Sequence, residues 1–216
     1  MIDRHSLLPL CKTICLVWTL GGSMNSYGFD GASWKEEVLL HDGQKLIVER
    51  SQTYGGYSEP ASRERQLAEE IWEFTIPGTD QRVIWKNNFG KTPGHSSVML
   101  LMLDFLKGTP YLATRPAGCI SYNKWKRPNP PYVFFKFDGK TWQQISLNEF
   151  PAEFNNANVV IGRPDQGDRS GMLSIEKIKE ENQYLEPYMR TIMRTSIARE
   201  WCPDTGGSKA PIQPKR

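Results

Sequence analysis

Histidine and cysteine are scarce in this chain of 216 residues, with three of the first and four of the second. No CxxC pair occurs among the cysteines, so neither a zinc site nor any other metal centre is expected. A strong charge of either sign is missing too. The 27 basic and 24 acidic residues are interspersed and leave a formal +3, which excludes the concentrated basic footprint of a nucleic-acid-binding protein. Dinucleotide and phosphate loops are absent, and with them any expected cofactor. Gly94-His95-Ser96-Ser97-Val98 lacks the final glycine of a nucleophile elbow. The apolar stretch near the N-terminus is broken by Lys12 and falls short of the about 20 residues that cross a bilayer. No repeat builds a solenoid or propeller, although successive hairpins are blade-like.

What is present describes one domain of ordinary soluble composition, 38% hydrophobic and 24% charged. Its first 23 residues differ from the rest. Arg4 and His5 precede LLPLCKTICLVWTL, and Gly21-Gly22-Ser23 follows, which are the parts of a secretory signal. Asp3 offsets Arg4, and no small residue precedes Cys11 or Cys15 as a lipoprotein signal requires. Residues 1–23 therefore read as an export signal or as an apolar N-terminal element. Residues 24–202 read as a single domain, and the Gly/Pro/Lys-rich residues 203–216 as a disordered tail. Membrane contact is expected at most through the N-terminal segment. If the signal is removed, Cys119 and Cys202 remain, an even pair 83 residues apart. They form either a bridge or two separate thiols.

Along the chain, turn chemistry recurs between apolar runs. Asp42-Gly43 separates WKEEVLL from QKLIVER, and Pro77-Gly78-Thr79-Asp80 separates IWEFTI from QRVIWK, so both predict hairpins. Trp72, Phe74 and Ile76 share a face by period two, with Glu73 and Thr75 opposite. SQTYGGYSEPASRERQLAEE reads as a long exposed loop with a helical turn near its end. VMLLMLDFLKG is continuously apolar, either a buried strand or a short helix, and Lys107-Gly108-Thr109 favours a strand pair. NVVIG predicts a short last strand. Ser174 is placed to cap a helix over IEKIKEEN. Pro187 fits the first turn of a second helix over YMRTIMRTSIARE, where Met189, Ile192, Met193 and Ile197 would form a docking stripe. The fold class is thus α+β: antiparallel β-hairpins forming a sheet or small sandwich, followed by two C-terminal helices.

The densest feature is SYNKWKRPNPPYVFFKFDGKTWQQI. Seven of the chain's 24 aromatic residues lie between Tyr122 and Trp142. Tyr132 to Phe137 and Thr141 to Ile145 predict a hairpin about Asp138-Gly139, with Val133, Phe135, Phe137 and Trp142 in the core. Tyr122, Trp125, Lys126 and Arg127 precede it in a loop stiffened by Pro128, Pro130 and Pro131. They are the candidate binding residues, because Trp and Arg dominate binding hot spots. The competing reading folds Trp125 back over the hairpin as core. Catalytic residues are not expected. A relay of His95 with Asp104 or Ser96 is conceivable, but a loop histidine beside serines reads as merely exposed. Gly167-Asp168-Arg169-Ser170-Gly171 reads as a turn before a helix, Glu36-Glu37 and Glu69-Glu70 as solvated faces.

The segments ASWKEEVLLHDGQKLIVERS, GTPYLATRPAGCISYNKWKRPNPPYVFFKFDGKTWQQI and NEFPAE resemble a group of exported β-rich proteins of Gram-negative bacteria, over roughly residues 32 to 160. That resemblance implies export and a β-rich domain; the group carries no assigned activity, so no site residue follows from it. The expectation is an exported, periplasmic or envelope-associated protein that binds an envelope partner or ligand, or scaffolds an assembly, without catalysis. The alternative is an envelope hydrolase whose site is assembled from residues distant in sequence. Without a signal, the protein would be cytoplasmic.

Overall fold

Four glycine turns set the plan of the computed structural model, which describes residues 31–55, 67–89, 97–164, 171–197 and 202. Asp42-Gly43 reverses the chain between β1 (Gly31–Leu39) and β2 (Lys45–Tyr54). Gly43 sits at φ +87°, where a Cβ would be strained, and the Asp42 carboxylate accepts from the Gln44 amide at 2.9 Å. Pro77-Gly78 joins β3 (Leu67–Thr75) to β4 (Arg82–Asn88), and Lys107-Gly108 joins β5 (Val98–Leu106) to β6 (Thr109–Pro116). Asp138-Gly139 joins β7 (Val133–Phe137) to β8 (Trp142–Ile145).

The hairpins assemble into two sheets. One has the order β4-β3-β2-β1 with a short parallel β9 (Met172–Leu173) on the edge, and the other the order β5-β6-β7-β8. Their facing sides share one core. Val38, Val48, Trp72, Phe74 and Val83 come from the first sheet, and Leu100, Leu103, Leu112, Val133 and Phe135 from the second. Strands of the first sheet alternate buried and exposed, and ion pairs such as Lys35–Glu49 and Lys86–Glu69 cross its outer face. The second sheet is buried on both faces, which accounts for the unbroken apolar run of β5. Its far side packs Leu101, Met102, Tyr111 and Phe134 under Phe150, Phe154 and Ile192. A register shift between Leu100 and Met102 turns Leu101 to that far side.

Side-chain amides close the edges of the strands. Asn158 accepts from the Leu103 amide at 3.1 Å and donates to the Leu103 and Leu39 carbonyls at 2.8 and 3.0 Å. It thus takes the place of a neighbouring strand beside β5 and ties β5 to the end of β1. Asn87 of β4 does the same at Val98, donating to its carbonyl and accepting from its amide. Trp142 donates to the Ile84 carbonyl at 3.2 Å and covers β4 from the other sheet.

Helices are few. Among the described residues they are α1 (Cys119–Lys124), α2 (Ile175–Asn182) and α3 (Pro187–Arg190). Ser174 caps α2, its hydroxyl accepting from the Lys177 amide at 3.2 Å. Pro187 opens α3, but the expected long second helix stops after one turn. Thr191 is extended (φ −131°, ψ 131°) and bridges Asn156, with Ala157 donating to the Arg190 carbonyl and Ile192 to that of Asn155. The β-branched run after Arg190 favours this pairing over helix. Met189, on α3, and Ile192 are still buried and Met193 and Ile197 half-buried, the last three on irregular backbone. Two further expectations are corrected. The supposed loop after Arg50 continues β2 to Tyr54, and its far end belongs to β3 from Leu67; the intervening residues 56–66 lie outside the described ones. NVVIG is no strand. Val159 and Val160 are both buried, on different clusters, because side chains rather than a neighbouring strand hold the segment. Residues 1–23 and 203–216 lie outside the described residues.

Candidate functional site

Two chemical constellations emerge from the fold, and both join residues far apart in sequence. The first lies where the β1–β2 turn meets β5. His41 leaves that turn and its Nδ1 stands 2.8 Å from Asp104 Oδ1, while the His41 backbone N–H donates to Asp104 Oδ2 at 2.9 Å. The Phe105 amide adds a 2.7 Å bond to Asp104 Oδ1. Asp104 is 2% exposed. Burial pushes its carboxyl above the ordinary range, and the bonds from His41 and Phe105 pull partly the other way. Phe154 lies edge-on to the imidazole with centroids 4.9 Å apart, so the ring is held on two sides.

This pair opens into a cleft of about 640 Å³. Leu40 and Met102 line it beside the pair, the segment 153–158 forms one wall, and α2 with Arg190 and Thr191 forms the other. Asn158 and Asn182 face it but are spent on structure, since Asn182 donates to the Val159 carbonyl at 2.7 Å and accepts from the Ile161 amide at 3.1 Å. The volume suits a small molecule, and the mixture of an apolar floor with a few polar groups is that of a ligand site. A third acidic or metal-ligating side chain does not join His41 and Asp104, and no cluster able to hold a metal ion occurs among the described residues.

The second constellation is internal. Trp34, Arg50, Trp72 and Trp85 stand in one row across β1 to β4. The Arg50 guanidinium lies 3.7 Å from the Trp72 ring centroid and 4.7 Å from that of Trp34. It donates to Glu36 Oε1 at 2.6 Å, to Glu70 Oε1 at 2.5 Å and to the Val160 carbonyl at 2.6 Å. Glu36 also accepts from Trp34 Nε1 at 2.6 Å and from the Val160 amide at 3.1 Å. Glu36 is 0% and Glu70 3% exposed, so neither is a solvated surface residue as expected; only Glu37 and Glu69 keep partial exposure. Two buried donors, Arg50 Nε and Trp72 Nε1, find no acceptor among the described residues. The cluster fastens the segment 159–162 to the first sheet, and Trp34 and Arg50 also line a second concavity of about 420 Å³ beside Ser33, Glu49, Ile71 and Met172.

The candidate binding residues sit elsewhere: Trp125, Lys126 and Arg127 lie in the turn after α1, and Tyr122 does not. Tyr122 lies on α1 and is 5% exposed, which removes it from the surface. Trp125 is half-buried, packs edge-on to Phe135 at 6.1 Å and borders the main core. Lys126 is exposed. Arg127 donates to Asn123 Oδ1 at 2.7 Å and to the Cys202 carbonyl at 2.8 Å, and lies 5.3 Å from the Tyr122 ring centroid. The turn is a helix stop: Arg127 N–H donates to the Tyr122 carbonyl and Lys126 N–H to that of Asn123, with Lys126 at φ 62° and Arg127 at φ 53°. The Asn129–Pro130 peptide is cis. Beside this turn the Cys119 and Cys202 sulfurs are 2.20 Å apart with Cα atoms at 5.2 Å, the geometry of a bridge.

Phe135 and Phe137 are buried as expected and Trp142 is partly so. His95 and Ser96 lie outside the described residues, as does most of Gly167–Gly171. Asp104 turns to His41, a partner that sequence reasoning missed because 63 residues separate them. No protein-family model matches the chain, and neither does any curated protein or solved structure.

Proposed function

We propose that the protein is an exported, envelope-associated binding module, and that its recognition site is the cleft at His41 and Asp104. The cleft carries this reading: about 640 Å³ of concave surface built from both sheets and α2, with an oriented imidazole at one end. Export is supported by the apolar segment before Gly21 and by a cysteine pair at bridging distance, since bridges persist in oxidising compartments. The resemblance to exported β-rich proteins points the same way.

Two measurements test it. Protein recovered from the periplasmic fraction of a Gram-negative host should begin near Met24 or Asn25 and yield a linked Cys119–Cys202 peptide; a full-length cytoplasmic product with two free thiols refutes export. A fragment screen followed by amide NMR should find compounds that shift residues 39–41, 153–158 and 175–183. A screen in which those amides never respond sinks the cleft as a recognition site.

One observation favours hydrolysis as a second reading. An imidazole held through Nδ1 by a buried carboxylate has the orientation of a general base. The described lining offers Thr191 as its hydroxyl side chain and no serine or cysteine, so the base would act on water. Hydrolysis of an ester probe that His41→Ala abolishes, without loss of stability, would establish this reading over the binding one.

A further inference from the structure

We infer that the cleft takes a small organic acid, with its carboxylate held by Lys179 and Arg190 and its apolar body on Met102, Ile175 and Ile178. The inference rests on the binding reading of the same cleft. Many cations of the first sheet and α2 are matched: Lys35 with Glu49, Lys45 with Glu37, Arg82 with Glu73, Lys86 with Glu69, and Lys177 with Glu180 and Glu181, whereas exposed Lys107, Lys126 and Lys140 stand singly on turns and line no cleft with a second cation. Lys179 and Arg190 both line the cleft, and neither makes a side-chain hydrogen bond or ion pair among the described residues. Glu176, one turn earlier on α2, shares the charge of Lys179, but it does not line the cleft, and two cations on one concavity raise the local concentration of anions.

Two carboxylates share the lining. Asp104 is engaged by His41 and two backbone amides. Glu153 is the remaining one, and its charge acts on Arg194, which lies outside the cleft lining. The amides of Asn158 and Asn182 are spent on backbone, so they do not compete for the anion. Met102, Ile175 and Ile178 are almost fully buried, and they also line the cleft. Their surface would strip water from a short aliphatic chain while leaving a charged headgroup at the wet rim. Arg190 can grip a carboxylate with two parallel N–H groups, and Lys179 adds a point charge.

The probes are hexanoate, its uncharged amide, and inorganic phosphate, each titrated into the bridged protein and followed by amide NMR. Hexanoate should shift the amides of α2, α3 and residues 153–158, and its amide should bind about ten-fold more weakly. The exposed-site double variant Lys179→Met/Arg190→Met should fold normally and erase that difference. Equal binding of hexanoate and its amide overturns the inference while leaving the cleft a binding site, as does a double variant that still prefers hexanoate. Phosphate binding as tightly as hexanoate overturns the apolar half. If none of the three probes shifts these amides, the inference fails even where the fragment screen succeeds, so the two readings fall separately.

Discussion

Replacing Arg50 by Met tests whether the buried charge cluster fastens the chain together. The substitution keeps the apolar stem of the side chain, but removes the guanidinium and with it the contacts to the Trp34 and Trp72 rings. Glu36 and Glu70, at 0% and 3% exposure, then lose their shared cation, and the Val160 carbonyl loses a 2.6 Å donor. Removing one partner of a buried ion pair costs roughly 3–5 kcal/mol, because the surviving charge stays desolvated. A domain of this size loses about 2–4 °C of melting temperature per kcal/mol, so the expected drop is roughly 6–20 °C. Urea unfolding followed by tryptophan fluorescence measures the free-energy loss directly, since two indoles flank the site. Arg50→Lys should fall between, as an ammonium cannot serve both carboxyl groups and the carbonyl at once. Glu36→Gln/Arg50→Met/Glu70→Gln should recover part of the loss, because it removes the stranded charges as well. A single Arg50→Met variant within about 1 kcal/mol of the parent would refute the argument. It would mean that water reaches the carboxyl groups and that the segment 159–162 is held by its apolar contacts alone.

Trp125→Ala should lower stability by about 2 kcal/mol in the same assay, less than a full core truncation because the indole is half-buried against Phe135; a change below about 0.5 kcal/mol would return Trp125 to the surface-patch reading. Lys126→Gly should stabilise by up to about 1 kcal/mol, since φ 62° is strained for a residue with a Cβ; a destabilised variant would show that the Lys126 side chain holds the turn. Asp104 has a folded-state pKa raised mainly by burial, so its protonated form favours folding. That contribution is complete below the unfolded carboxylate range near about 4 and fades as pH rises through the folded value. The stability of the parent relative to Asp104→Asn should therefore decline with rising pH through the mildly acidic range, and a flat or rising difference would contradict the assignment.

The parts legible in the sequence are those written locally. Asp-Gly, Pro-Gly and Lys-Gly turns carry their geometry in two residues, so the hairpins could be placed, and the β7–β8 core face followed from period two. The same rule held a signal for the buried charges. Glu36 stands in phase with Trp34 and Val38, and Glu70 in phase with Trp72, which puts both on the inner face. Reading each Glu-Glu pair as one solvated unit hid that alternation. The site itself had no local signature. His41 and Asp104 meet only because one hairpin turn reaches across the end of the sandwich. β9 is two residues long and exists through its contact with β1. The second C-terminal helix failed for a related reason, since Thr191 found a partner in Asn156 that no window of sequence contains.

Asn158 has a consequence for the order of assembly. Its amide closes the free edge of β5 from 55 residues further along the chain, and the rest of the covering layer arrives with it. While the hairpins form, β5 therefore exposes a row of unpaired backbone groups on an almost wholly apolar strand. Such an edge recruits other chains as readily as its own. A chain that stalls before residue 158, or carries Ala there, meets its main hazard during folding rather than after it. Its yield would then depend on how dilute the chains are in that interval, even where the finished fold is stable.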